Sequence, residues 1–178
     1  MNETVKKYIY KYYEKGADKE YLNSCSQEFL LPSEIINFCS LNKIVVKPGK
    51  HKIWPEKYVR FIFQDFIKGN FEVKYCTVLR ISKVAPIYNL THEFVVENID
   101  PNRISPILDG YSAQAYIKLQ SLLEDVIQNE LLKLDYEELL EIDEVILNLK
   151  INNNKELIGK QITVEAALFY DLLELCPD

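Results

Sequence analysis

The sequence predicts a single α+β domain over residues 1–178. Its expected parts are N-terminal helices, a central antiparallel β-meander, a long acidic helical segment packed on the sheet, and a short C-terminal helix. Three observations predict it. Apolar residues recur at helical spacing before residue 45 and again after residue 112. Between Val59 and Val96 they alternate at strand spacing, punctuated by Gly69-Asn70 and Pro86. The connections are too short to define a second domain, and 178 residues suit one core.

Val5, Tyr8, Ile9, Tyr12 and Tyr13 form the apolar face of a short first helix, which Gly16 ends as a left-handed cap. Asp18 to Leu30 reads as a second helix. Pro32-Ser33 opens a third, with Ile35, Ile36, Phe38, Cys39 and Leu41 facing inward. Ile44-Val45-Val46 is a short strand stopped by Pro48-Gly49, and Trp54 is expected to lie over the core. Val59, Phe61 and Phe63 begin the meander. Phe71, Val73, Tyr75, Thr77, Leu79 and Ile81 continue it, and Ile87 to Val96 supply its third strand. Short connections favour antiparallel neighbours.

Asn98 to Gly110 reads as a loop, with Asp109-Gly110 as a turn and Ser112 as the N-cap of the longest helix. Tyr116, Leu119, Leu123, Val126, Ile127 and Leu134 share one face of that helix. Glu130 falls in the same stripe. Either the helix frays or kinks near Asn129, or Glu130 reaches water, or it is a partly buried acid. Leu139, Ile142, Ile146 and Leu149 predict a second acidic turn or helix. Val145, Leu147, Leu149 and Ile151 alternate as a strand, closed by Asn152-Asn153-Asn154. Beyond Gly159, Thr163 starts a last helix carrying Val164, Ala167, Leu168, Leu172 and Leu175 inward, with Pro177 after its end.

Composition narrows the function classes. A 48% hydrophobic and 12% aromatic chain can build a ring-rich core. No run reaches the roughly 18 apolar residues of a membrane span, and Met-Asn-Glu-Thr-Val-Lys-Lys lacks the apolar core of a secretion signal. A cytoplasmic protein is expected, with no membrane partner. Cys25, Cys39, Cys76 and Cys176 have no paired spacing and no histidine cluster, so they read as reduced core residues rather than metal ligands. Residues 1–80 carry net +5 and residues 81–178 net −11, a balance that disfavours nucleic acid. Lysines 6, 7, 11 and 15 between tyrosines could stack on single strands, but they also suit the solvated face of an ordinary helix.

Catalytic patterns are sparse. Asp65, Glu72 and Lys74 match the bare D…E-x-K arrangement of metal-dependent nucleases, where two carboxylates hold Mg²⁺ and a lysine positions water. The same E-x-K also suits any solvated strand face with charge pairing. His51 and His92 have no neighbouring nucleophile motif, and no glycine-rich phosphate loop is present. The sequence implies no catalytic residues, no cofactor and no metal.

The densest charge lies between Glu124 and Glu144, where nine acids face one base, Lys133, for a local net charge of −8. Within it, Glu137, Glu138, Glu141, Asp143 and Glu144 are the candidate partner-binding rim, able to accelerate encounter with a cationic protein. The run Gly159-Lys160-Gln161-Ile162-Thr163-Val164-Glu165-Ala166-Ala167-Leu168-Phe169-Tyr170-Asp171-Leu172-Leu173 resembles the C-terminal ends of bacterial toxin-immunity proteins. The acidic segment is similar to the surface such proteins present to basic nuclease toxins. That resemblance implies a cytoplasmic, non-enzymatic protein that binds and blocks one cognate basic toxin, and it transfers no site residues. The alternatives are the metal-dependent nuclease and an oligomeric scaffold domain.

Overall fold

The computed structural model describes residues 2–103, 108–146 and 162–177. Its framework is an antiparallel hairpin of two long strands, β4 (Phe71–Ser82) and β5 (Ile87–Asn98), paired from Phe71↔Asn98 to Ile81↔Tyr88. Each long strand carries two short strands on its outer edge. Beside β4 lie β2 (Glu56–Ile62) and β3 (Phe66–Lys68), with β1 (Val45–Pro48) outside β2. Beside β5 lie β6 (Leu108–Ser112), antiparallel, and β7 (Glu137–Glu138), parallel. The main strand order is β1-β2-β4-β5-β6, and the expected meander forms its centre.

Between β2 and β3 the pairing shifts from Ile62↔Cys76 to Phe66↔Val73. One extra residue is accommodated around Gln64-Asp65, as in a bulge. Gly69 adopts φ +63° in the β3–β4 turn, a conformation that glycine enters without a Cβ penalty.

Alternation sends two sets of side chains to opposite faces. On one face Val59, Phe61, Phe63, Leu79, Ile81, Tyr88 and Leu90 meet α3 (Ser33–Leu41) and α4 (Lys118–Leu132). The helices contribute Ile35, Cys39, Leu123, Ile127 and Leu131 to this core. A second core joins α1 (Glu3–Ile9), α2 (Asp18–Ser26) and α5 (Val164–Phe169) to the β4–β5 connection, around Val5, Tyr21, Val84, Ile87 and Phe169. α1 runs on through a π turn over Tyr10–Glu14, closed by the Lys15 amide donating to the Tyr10 carbonyl at 3.0 Å. Both adjacent residues Tyr12 and Tyr13 are buried there, and Gly16 at φ +65° ends the segment as the sequence predicts.

Several expectations change. α2 stops at Ser26 rather than Leu30, and Ile36 and Leu41 of α3 are exposed, leaving Ile35 and Cys39 buried and Phe38 packed against the same core. The presumed turn at Asp109-Gly110 is the middle of strand β6. Gly110 pairs with Phe94, whose ring stands where a Cβ would come within 2.6 Å of it. Glycine is needed there for space. Ser112 caps a local turn, accepting from the Gln114 amide at 2.9 Å, and α4 begins only at Lys118.

α4 runs unbroken past Asn129 to Leu132. Its buried positions are Gln120, Leu123, Ile127 and Leu131, whereas Tyr116 and Leu134 lie outside it and are exposed. The segment after α4 is extended, not helical: Asp135 turns the chain at φ +60°, and β7 follows. Leu139 and Ile146 are buried and Ile142 is half-buried. Val145 makes an isolated antiparallel bridge with Thr163. Leu147, Leu149, Ile151 and Asn152-Asn153-Asn154 lie outside the described residues. Thr163 caps α5 by accepting from the Ala166 amide at 3.2 Å, but the helix ends at Phe169, so Leu172 and Leu175 pack from beyond it.

Candidate protein-binding site

The five acids singled out in the sequence do not share one environment. Glu137 is exposed and sits over the first turn of α1, accepting from Asn2 Nδ2 at 2.9 Å and from the Thr4 hydroxyl at 3.3 Å. A carboxylate there opposes the positive end of the helix. Glu138, paired in β7 with Tyr88, is half-buried; its Oε2 accepts from Gln128 Nε2 at 3.0 Å and from the Tyr88 hydroxyl at 3.5 Å. Burial raises its pKa above the ordinary carboxylate value. Glu141 and Asp143 are exposed and Glu144 is half-buried.

Pairing of this stretch with β5 holds its inward members. Leu139 lies in the core, its amide donating to the Tyr88 carbonyl at 2.7 Å and its carbonyl accepting from Asn89 Nδ2 at 2.8 Å. The backbone bends at Leu140, and beyond the bend Glu141 and Asp143 are exposed on either side of the half-buried Ile142. The same ledge exposes large apolar groups, with Leu132 at 69%, Leu134 at 48% and Leu140 at 68%. Lys133, the one base of this stretch, is ion-paired to Glu130. Glu130 itself is shielded, its side chain 12% exposed, so the acid in the helical stripe is a paired and partly buried one.

A polar seam runs beneath the ledge. His92 on β5 is fully buried; its Nδ1 lies 2.9 Å from the Thr77 hydroxyl and its Nε2 3.3 Å from Glu124 Oε2 on α4. Gln128 Nε2 spans from Glu124 Oε1 at 3.3 Å to Glu138, so the seam reaches β7. Burial lowers the His92 pKa, and the Glu124 charge only partly offsets that. Thr77, His92 and Glu124 follow the order of a nucleophile, base and acid. Thr77 and His92 are both sealed from solvent, however. The cavity of about 490 Å³ beside the start of α4 is lined by Ser121 and Glu124, with neither Thr77 nor His92 among its described lining. The sequence carried no signal for this seam beyond an isolated His92 in a strand.

The D…E-x-K residues are also placed. Glu72 and Lys74 share a sheet face, as alternation predicts, and pair at 3.1 Å; Lys74 pairs again with Glu97 at 2.8 Å. Asp65 is exposed in the β2–β3 bulge. Among the described residues, no three acidic, histidine or cysteine side chains gather where a metal ion could be held. Cys25, Cys39 and Cys76 are buried free thiols and Cys176 is half-buried. Trp54 is half-buried with the His51 ring 5.1 Å away. No described helix is long and apolar enough to cross a membrane.

Under the ledge's far side, Arg80 on β4 bridges two elements. Its Nε donates to Glu56 on β2 at 2.7 Å and it pairs with Glu165 on α5. The guanidinium lies 4.7 Å from the Phe169 ring centre and 5.2 Å from that of Tyr170. Burial raises the Glu56 pKa despite Arg80. Burial also works against the Arg80 charge, but the two carboxylates outweigh it and hold its pKa up. The guanidinium therefore stays charged. Compared with family models, curated proteins and solved structures, the chain matches none.

Proposed function

We propose that this chain is a non-enzymatic binding module that docks a basic protein on the ledge from Asp135 to Glu144, in the manner of an immunity protein blocking a nuclease-like toxin. The observation that supports the reading most directly is the exposure of Glu141 and Asp143 beside exposed Leu132, Leu134 and Leu140. Acids at the rim steer a cationic partner and speed encounter, while apolar anchors set the lifetime of the complex. Glu137 adds charge to the rim, and Glu138 fixes the strand that presents it. The resemblance of the C-terminal run to immunity proteins points the same way.

The test is comparative capture from a lysate of the organism that carries the gene. Wild type and a Glu141→Lys, Asp143→Lys variant are used at low and moderate salt. The reading expects a strongly basic protein held by the wild type, released as salt rises through the range that shortens the screening length, and lost on charge reversal. Retention of the same protein, undiminished, by the reversed variant would sink the ledge as its site.

A further inference from the structure

The sheet face opposite α4 holds a groove of about 300 Å³ between the Arg80 cluster and the edge strand β6. Its walls combine three tyrosines, Tyr58 on β2, Tyr111 on β6 and Tyr170 after α5, with the carboxylates of Glu56, Glu93 and Glu165. Arg80 is the one base among the described lining residues, and its charge is already shared between Glu56 and Glu165. The lining carries net −2. Counting Arg60, which reaches Glu93 from outside at 3.0 Å, leaves the balance at −1. Aromatic faces and surplus carboxylate together select a cation with a thin apolar stem. Tyr111 is 81% exposed, an aromatic ring left on the groove's open rim.

Ile142 also lines the groove, and it stands between Glu141 and Asp143 on the ledge. The groove and the ledge therefore share a wall. We infer that this tyrosine–glutamate groove receives one lysine or arginine side chain of the basic partner, and so rests on the reading of a basic partner at the ledge. The inserted side chain packs its methylenes on Tyr111 and Tyr170 and sets its charged head against Glu93. Steering by the ledge then delivers the chain that the groove retains.

The groove can be probed without the partner. The full chain, labelled with ¹⁵N, is titrated with n-butylguanidinium and n-butylammonium, with n-butyrate as the anionic control, and followed by amide shifts. The expected result is saturable binding in the millimolar range, with shifts confined to β5, β6 and the Glu165–Tyr170 region and no response to butyrate. Tyr111→Ala, at an exposed site that leaves the fold intact, weakens the cation by about fivefold, the scale of one ring–cation contact. Glu93→Gln weakens it further. Absence of saturable shifts with either cation, or an equal response to butyrate, overturns the groove. Undiminished binding to the Tyr111→Ala, Glu93→Gln double variant overturns it too. Because the probes need no partner, failure here is separable from failure of the ledge, which is read only from capture by the Glu141→Lys, Asp143→Lys variant.

Discussion

His92 Nε2 lies 3.3 Å from the Glu124 carboxylate, and that contact sets the tautomer of a fully buried ring. An ionised carboxylate only accepts, so Nε2 carries the proton and Nδ1 accepts from the Thr77 hydroxyl at 2.9 Å. The sheet and α4 are thus joined by a neutral imidazole, satisfied at both nitrogens.

Stability should fall on mild acidification. His92 has a lowered pKa in the fold, so below the ordinary histidine value of about 6.5 the unfolded chain binds the extra proton. Its contribution is complete above that value and is lost as pH falls toward the folded pKa. The raised pKa values of Glu56 and Glu138 act oppositely, favouring the fold as pH falls through their raised folded values, a gain complete below about 4.5. Comparing wild type with a variant lacking His92 in urea between about pH 7 and pH 5.5 therefore isolates the histidine. Wild type loses stability across that interval, and a His92→Gln variant, less stable throughout, shows a flatter profile. Parallel slopes would refute the assignment.

Gly110→Ala should destabilise through one ring. The added Cβ meets Phe94 Cε1 at 2.6 Å, and that ring is held edge-on by Tyr116 with centroids 4.7 Å apart. A cost of about 1–3 kcal/mol is expected for such overpacking. In a Phe94→Ala background the same substitution should cost under about 0.5 kcal/mol, so a double-mutant cycle by chemical denaturation reads the coupling directly.

Gln120 is a buried polar residue within an apolar helix face. Its Nε2 donates to the Cys76 carbonyl at 2.9 Å and its Oε1 accepts from the Tyr116 and Ile117 amides at 3.0 and 3.3 Å. Gln120→Leu keeps the volume but leaves those groups unpaired, and should cost about 2–3 kcal/mol. An unfolding midpoint equal to that of the wild type would show that water or rearrangement satisfies them.

The acids of the ledge should separate by role. Glu138→Ala removes the acceptor of Gln128 and Tyr88 and is expected to cost about 1–2 kcal/mol. Glu138→Gln keeps a side-chain oxygen that can accept from Gln128 and Tyr88, and should cost less than Glu138→Ala. Glu141→Ala and Asp143→Ala, exposed, should stay within about 0.5 kcal/mol in stability. Thermal or urea melts of the four variants decide it, and similar losses at Glu138 and Glu141 would contradict the inward setting of Glu138.

Much of the architecture was legible because it depends on local patterns. The alternation through Val59–Phe63, Phe71–Ile81 and Ile87–Val96 specifies strands and their buried faces, and Gly69 and Gly16 mark the turns they make. Strand β6 was hidden because Asp109-Gly110 has turn chemistry, whereas its glycine serves the ring of Phe94 across the ladder. The stretch after α4 read as helical because Leu139, Ile142 and Ile146 recur at helical spacing, and only pairing of β7 with the start of β5 replaces the helix there.

The same division holds for the candidate site. The sequence by itself determined the α+β class, the strand faces and the concentration of nine acids between Glu124 and Glu144, since composition and periodicity are properties of the chain alone. Only the tertiary structure decided that Glu138 turns toward Gln128 while Glu141 and Asp143 face solvent. It also decided that Tyr58, Tyr111 and Tyr170, far apart in sequence, line one groove with Glu93. The physical reason is pairing: hydrogen bonds between distant strands set which acids are desolvated and which rings meet, and no local pattern encodes that partner choice.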